Sequence, residues 1–283
     1  MSGSGKNMDV GLLIKILEYG ARGLRYVRAE GLVGKVRRRA ALGYFELLHL
    51  DIVHRIRKLG DCLGRAEVDQ TRTAETAINL CSGCALLMGR VVEAEHNDLH
   101  ACFKVIVKGQ DGVDRIRTLA RSEPQDGREV NGAGSPLAGN TAWHVFSGTN
   151  DGRVKWPQLN CFCCNDLTQH VSEYDNGRGN WSEFYQSKLI FPIRYIARPG
   201  EYEVIGFLEF DSKKGAFVGM PNAYDYVRKA NEYRTELENS AIFHAGAIIA
   251  DTLSLCLRPF YEHLGIKGRA NLLNAVDKKL LNG

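Results

Sequence analysis

Two apolar segments that lie close together in the sequence constrain the fold of this chain most. Residues 187–195 and 203–211 are rich in Ile, Leu, Val and Phe, and a loop that contains Pro199 and Gly200 joins them. A strand with one face in water alternates apolar and polar residues, whereas a nearly continuous apolar run indicates a strand that is covered on both faces. We therefore expect an antiparallel hairpin in a sheet that other elements cover on both sides.

The pattern on either side of the hairpin predicts a mixed α+β domain. Helical periodicity changes to a strand pattern near residue 98, and apolar spacing becomes helical again after the hairpin. The predicted order is a helix at 73–95, strands at 99–108 and 115–122, a short helix at 136–149, a polar loop at 149–184, the hairpin, and a helix at 222–258 that Pro259 ends. We expect the two long helices on one face of the sheet and the short helix with the polar loop on the other.

Charge is distributed unevenly along the chain. The first 60 residues contain twelve Lys and Arg against five Asp and Glu, although the whole chain has a formal charge of only +4. A solvated face of basic helices is the favoured interpretation, and a patch for a membrane surface or nucleic acid is the alternative. We divide the chain into a disordered leader (1–7), a basic helical module (8–60), a linker (61–72), the α+β domain (73–258) and a helical C-terminal tail (259–283).

Composition favours a cytoplasmic protein. No apolar run reaches the roughly 18 residues of a membrane span, and the N-terminal residues lack the apolar core of a signal peptide. The eight cysteines are therefore expected to be thiols or metal ligands in a reducing compartment rather than a disulfide framework.

Three segments of the α+β domain resemble the GAF domain family, a small-ligand sensory module related to PAS domains. They are YQSKLIFPIRY and YEVIGFLEFDSKKGAF, which form the hairpin, and SPLAGNTAWHVFSG, which resembles the helix that lines the ligand site in that family. The resemblance covers about residues 72–258. It implies a GAF-like antiparallel sheet sandwiched by helices and a protein of signal transduction that binds a small molecule.

The segment before the hairpin carries the candidate ligand-binding residues. It is polar and rich in glycine, yet all three tryptophans of the chain fall within 39 of its residues. An aromatic-walled pocket for a planar or anionic ligand is one interpretation, and a small aromatic core that fixes the loop is the other. The candidate wall residues are Trp143, His144, Cys161, Cys163, His170, Trp181 and Tyr185.

Two cysteine clusters leave further chemistry open. In NCFCCND, Cys161, Cys163 and Cys164 follow one another within four positions of a predicted loop, where they are structural thiols, redox-sensitive thiols or metal ligands. In CSGC, Cys81 and Cys84 lie within a predicted helix, where their spacing favours packing in the core. No cofactor is identified by these patterns.

Three functions remain open at this point. The favoured one is a non-catalytic sensor that binds a small molecule between sheet and loop and signals through its helices to a protein partner. The second is a thiol enzyme that resembles the GAF-like reductases of free methionine sulfoxide, and the third is a scaffold that uses the basic N-terminal helices. We also expect a homodimer, because an apolar stripe follows the C-terminal helix. The stripe consists of Tyr226, Ala230, Tyr233, Leu237, Ala241, His244 and Ile248.

Overall fold

The structure is a computed structural model, and it describes residues 50–62, 70–92, 98–109, 111–123, 134–198 and 201–263. Most of the predicted leader and basic module, most of the linker and most of the C-terminal tail lie outside these residues. None of the described helices combines the length and the apolar character that crossing a membrane requires.

A six-stranded antiparallel sheet forms the centre of the described chain, with the strand order β3-β2-β1-β6-β5-β4. The α+β class predicted from the sequence is thus confirmed. Four strands match the predicted ones, and two short edge strands, β3 and β4, were not predicted. The strands are β1 (His100–Lys108), β2 (Asp114–Arg121), β3 (Ser135–Pro136), β4 (Phe162–Cys164), β5 (Ser187–Arg198) and β6 (Glu201–Ser212).

The apolar hairpin is longer than its sequence pattern indicated. Strands β5 and β6 pair from Ser187 opposite Ser212 to Arg198 opposite Glu201, and β6 also pairs with β1. Strand β6 lies beside β1 at the middle of the sheet, and its residues from Val204 to Ser212 are buried on both faces. This position explains the nearly continuous apolar character of the hairpin.

Helices cover one face of the sheet, as predicted. Helix α1 covers residues 50–62, α2 is Gln70–Val91, and α5 is Ala241–His263. Helix α2 packs on β1 and β2, and α5 packs on β5 and β6. Gly246 of α5 lies directly against the buried ring of Phe191 in β5. Helix α1 packs on α2 in turn, and the guanidinium of Arg55 donates a hydrogen bond to the carbonyl of Asn79 at 2.8 Å.

The predicted long helix at 222–258 is instead three separate elements, which corrects the sequence interpretation. A 3-10 turn at Ala223–Tyr226 is followed by α4 (Ala230–Glu238) and, after a break at 239–240, by α5. The side chain of Ser240 accepts a hydrogen bond from the backbone N–H of Phe243 and so caps the start of α5. Helix α5 also continues past Pro259, which costs it one backbone hydrogen bond near its end.

The break also changes the apolar stripe from which the dimer was inferred. Its seven residues are distributed over the 3-10 turn and the two helices rather than along one helix. Tyr233 and Leu237 are fully buried within the chain itself. They therefore stabilise the monomer fold, and the homodimer stays a prediction.

Residues 134–186 cover the other face of the sheet, and we call them the covering segment. The segment contains β3, α3 (Thr141–Ser147), β4 and short 3-10 turns, so the loop predicted at 149–184 is more regular than expected. Its two halves are joined where Asn140 bridges Asn176 and where the Thr141 N–H donates to the carbonyl of Asp175 at 2.8 Å. The ring of Phe146 in α3 packs on Phe207 of β6, with centroids 5.7 Å apart.

Candidate anion-binding site

The face of the sheet beneath the covering segment carries four buried charged side chains, and three of them form ion pairs. Residues that are paired across antiparallel strands point to the same face, and positions two apart on one strand also share a face. Lys104 pairs with Phe207, and Lys188 pairs with Asp211, so both lysines lie on the same face as Glu209. Strand order then places Glu209 of β6 between Lys104 of β1 and Lys188 of β5.

Glu209 forms ion pairs with both lysines through a single oxygen. The distances from its Oε2 are 2.8 Å to Nζ of Lys104 and 2.9 Å to Nζ of Lys188. The side chains of Lys188 and Glu209 are each only 2% exposed. A second carboxylate, Asp211, is buried on the same face. The ammonium of Lys188 also lies 4.3 Å from the centroid of the Tyr185 ring, which is cation–π distance.

The charged forms of Glu209 and Lys188 stabilise each other in this environment. Burial by itself would raise the pKa of Glu209, but the ammonium groups of Lys104 and Lys188 lower it to about 2. Burial would likewise lower the pKa of Lys188, and the negative charges around it raise that pKa well above its usual value. For Lys104 burial has the larger effect, so its pKa is lowered although Glu209 lies beside it. Glu209 and Lys188 are therefore both ionised at neutral pH in this arrangement.

A small cavity of about 50 Å³ lies where this face of the sheet meets the covering segment. The sheet contributes Lys104, Ile116, Thr118, Arg121 and Lys188 to its walls. The covering segment contributes Ser135, Asn140, Asn176, Arg178 and Tyr185. Both halves of the covering segment therefore line the cavity, and their junction at Asn140 and Asn176 forms part of its wall.

Positive charge predominates around the cavity. Four cations line it, namely Lys104, Lys188, Arg121 and Arg178, and the neighbouring carboxylates are Glu209 and Asp211. The Nε of Arg121 is buried and has no hydrogen-bond partner among the described residues. A buried donor without a partner costs free energy, and an acceptor in the cavity would recover it. The walls therefore suit a ligand that carries negative charge and accepts hydrogen bonds.

The structure brings only one of the seven sequence-predicted wall residues, Tyr185, to this cavity. Its hydroxyl contacts the Tyr174 hydroxyl at 3.2 Å and accepts a hydrogen bond from the Asn176 amide. Trp181 stacks on the Tyr185 ring with centroids 5.7 Å apart and is itself buried. Trp143 is partly exposed on α3. The small aromatic core was the other interpretation of this segment, and it describes most of these rings.

The two predicted histidines lie in different parts of the covering segment, away from this cavity. His144 is buried, with Nδ1 2.8 Å from the Thr149 hydroxyl and Nε2 3.0 Å from the carbonyl of Ala138. Because a carbonyl oxygen only accepts hydrogen bonds, Nε2 of the neutral ring donates to Ala138. The histidine therefore links Ala138 to Thr149 and stabilises the conformation of its own segment. His170 stacks on Tyr224 at 3.8 Å and lines a separate open groove of about 690 Å³.

The cysteines that were predicted in a loop lie instead at a sheet edge. Cys163 and Cys164 belong to β4, which pairs with β5, and Cys161 directly precedes that strand. Burial raises the pKa of all three thiols, in the case of Cys164 to about 12. Cys81 and Cys84 are buried in α2, as their spacing indicated. No three His, Cys, Asp or Glu side chains of the described part of the chain are placed to hold a metal ion.

These positions predict low thiol reactivity in the folded protein. Only the thiolate attacks disulfide reagents, and a buried thiol with a raised pKa offers little of it. We expect Cys161, Cys163 and Cys164 to react with an aromatic disulfide reagent at least a hundredfold more slowly in buffer than in 6 M guanidinium. Peptide mass mapping of the labelled cysteines is the measurement. Rapid native labelling of any of these three would instead support the thiol enzyme.

The lysines and the glutamate of the site were missed, although the sequence carries a signal for them. Lys188 and Glu209 each interrupt a strand that is otherwise apolar and was predicted to be covered on both faces. A charged residue at such a position has to be paired or to serve a ligand. The signal identifies the individual residues, but it does not show that Lys104 and Lys188 meet at one carboxylate.

Comparison with known proteins adds no assignment. The chain matches no protein-family profile, and no similar curated protein was found.

Proposed function

We propose that this chain is a non-catalytic, GAF-like sensory protein that binds a small anionic molecule in the cavity between the sheet and the covering segment. The observation that carries the proposal is the set of four cations around one small cavity, two of them lysines buried on the sheet. Buried charges are costly to maintain, so they are more common where a ligand uses them than where only packing is needed.

The arrangement of the sheet and the helices supports a sensory role. Lys104 and Lys188 lie on β1 and β5, and the opposite faces of these strands carry α2 and α5. A ligand that changes the distance between the lysines would therefore act on strands against which both helices pack. Signalling through those helices to a protein partner belongs to the same proposal. So does the homodimer, which a light-scattering mass near 31.5 kDa would contradict.

The thiol reductase is less well supported than the sensor. Such an enzyme needs an accessible thiolate with a low pKa, whereas burial raises the pKa of the thiols at Cys161, Cys163 and Cys164. The cavity is also lined by nitrogen and hydroxyl groups rather than by sulfur. These features favour binding without covalent chemistry.

Ligand-dependent stability tests the proposal. We expect that a panel of carboxylates, phosphates and nucleotides contains at least one compound that raises the melting temperature above that in sodium gluconate of equal ionic strength. A ligand that binds only the folded state stabilises it according to its concentration and Kd. In Lys188→Met the increase should be lost, because one of the two buried ammonium groups is gone.

Lys229→Met is the matched control for this experiment. It removes the same charge from an exposed position whose ion pair with Glu232 is 3.4 Å long. The ligand effect should be unchanged in this variant. Because each variant is compared with and without ligand, a different baseline stability does not affect the result. An equal increase in Lys188→Met and in the unmodified chain would refute the proposed site.

A further inference from the structure

Resting on the function proposed above, we infer that the ligand of this cavity is a small oxyanion, of the size of formate, nitrate or acetate. The binding group is the pair of buried lysines together with Arg121. The inference concerns the size and the chemical class of the ligand, which the cation-lined walls alone do not determine.

The volume beside the lysines is small compared with that of a ring-bearing ligand. A site of about 150 Å³ is needed to hold benzene in a protein core. This cavity measures about 50 Å³, a third of that volume. A planar anion with three or four non-hydrogen atoms matches this volume, whereas the ring of a nucleobase or an aromatic acid exceeds it.

The hydrogen-bonding groups around the cavity favour an oxyanion in particular. A lysine ammonium has three donors, and its contact with one carboxylate oxygen uses one of them. Lys104 and Lys188 each make that contact to the same oxygen of Glu209. Arg121 adds a buried Nε without a partner among the described residues. An anion with two or three oxygens can accept from the two ammonium groups and from the guanidinium at once.

The wall opposite the lysines is fixed rather than adaptable. The Tyr185 ring is buried between Trp181 and the ammonium of Lys188. The junction of the covering segment depends on Gly177, whose φ is +75° and at which an added Cβ would lie 2.6 Å from Ser135. Since both walls are held by packed groups, the cavity should select its ligand by size.

A series of anions of increasing size tests the inference in the full-length protein. We expect formate, nitrate and acetate to bind at least tenfold more tightly than benzoate or adenosine monophosphate, by calorimetry and by thermal shift in sodium gluconate. Lys188→Met should abolish binding of the small anions, and Lys229→Met should not. In Ile116→Ala, which removes three carbons from the cavity wall, propionate and butyrate should gain affinity relative to formate.

The outcomes separate the two proposals. Tight binding of benzoate or adenosine monophosphate that is lost in Lys188→Met would overturn the size inference and leave the anion-binding function standing. Absence of binding by every anion of the series and of the wider panel would overturn both. Ring-bearing anions that bind but respond to His170→Ala rather than to Lys188→Met occupy the open groove. In that case the size inference stands only if binding of the small anions is still lost in Lys188→Met.

Discussion

Replacing Glu209 by Gln is expected to destabilise the folded protein by about 3–5 kcal/mol, which is the usual cost of removing one partner from a buried ion pair. Gln has nearly the same shape as Glu, so the change removes the charge and leaves the packing in place. The ammonium groups of Lys104 and Lys188 then face each other with their shared counterion lost. Chemical denaturation monitored by tryptophan fluorescence measures the loss of unfolding free energy.

Added anions should partly restore this variant. In the unmodified chain a bound anion joins a site in which Glu209 already balances part of the charge. In Glu209→Gln the same anion replaces the counterion that the two lysines shared, and its stabilising effect should therefore be larger. We expect the shift in melting temperature with nitrate to exceed that of the unmodified chain.

The difference in stability between the unmodified chain and Glu209→Gln should depend on pH, because the pKa of Glu209 is lowered in the folded state. Its carboxyl has a pKa of about 2 in the folded state and an ordinary value near 4.5 when unfolded. The stability that comes from its ionised form is therefore complete above pH 4.5 and is lost as the pH falls towards 2. The difference in stability between the unmodified chain and Glu209→Gln should therefore narrow over that interval.

Two further variants separate this interpretation from a general effect of substitution. Glu203→Gln changes an exposed glutamate on the same strand, and it should alter stability by no more than about 0.5 kcal/mol. The triple variant Lys104→Met, Lys188→Met, Glu209→Leu replaces the two lysines and the glutamate between them by apolar groups. Such replacements are often neutral or stabilising. A triple variant that is stable but binds no anion would show that the charges serve binding rather than folding. A loss below 1 kcal/mol for Glu209→Gln would contradict the ion-pair assignment.

The sequence determines the main sheet more clearly than it determines the site. Strands β1, β2, β5 and β6 could be predicted because each is a run of alternating or nearly continuous apolar residues, and such a pattern is local information. Strand β4 could not, because a three-residue edge strand carries no period of its own and forms only where β5 offers it free backbone groups. The break before α5 carried a local signal in Asn239 and Ser240, which are common capping residues.

The candidate site depends on contacts that no local pattern contains. Lys104, Lys188 and Glu209 lie on three strands, and they meet because β6 pairs with β1 on one side and with β5 on the other. The density of aromatic residues indicated a pocket in the covering segment, yet most of those rings pack on one another. Tyr174, for example, contacts Phe162, Trp181 and Tyr185. Aromatic groups are as suited to a core as to a pocket, whereas a charged residue within a covered strand has few structural uses.

A methyl group added at Gly246 tests the packing of α5 on the sheet. A Cβ at this position would lie 2.0 Å from Cε2 and 2.2 Å from Cζ of Phe191, far inside the closest contact that real Cβ atoms make. The Phe191 ring cannot move away easily, because it is buried and packs against Phe210 and Phe243. Helix α5 would have to shift outward from β5.

Two opposing effects determine the size of the result. Alanine is favoured over glycine in a helix by about 1 kcal/mol, which alone would stabilise the variant. Overpacking of a core typically costs about 1–3 kcal/mol and sometimes more. Because the overlap here is severe, we expect Gly246→Ala to lower the free energy of unfolding by about 2 kcal/mol net. The denaturation midpoint in urea measures the change.

Gly89 of α2 provides the matched control, since an added Cβ there meets no atom within 4 Å. Gly89→Ala should therefore show the helix preference alone and leave stability equal or raised by up to about 1 kcal/mol. Phe191→Leu, which shortens the obstructing ring, should be less harmful in the Gly246→Ala background than in the unmodified chain, and a double-mutant cycle measures that coupling. Equal stability of Gly246→Ala and Gly89→Ala would mean that α5 does not pack closely against Phe191. The helix that we propose as a signalling element would then be free to move without the sheet.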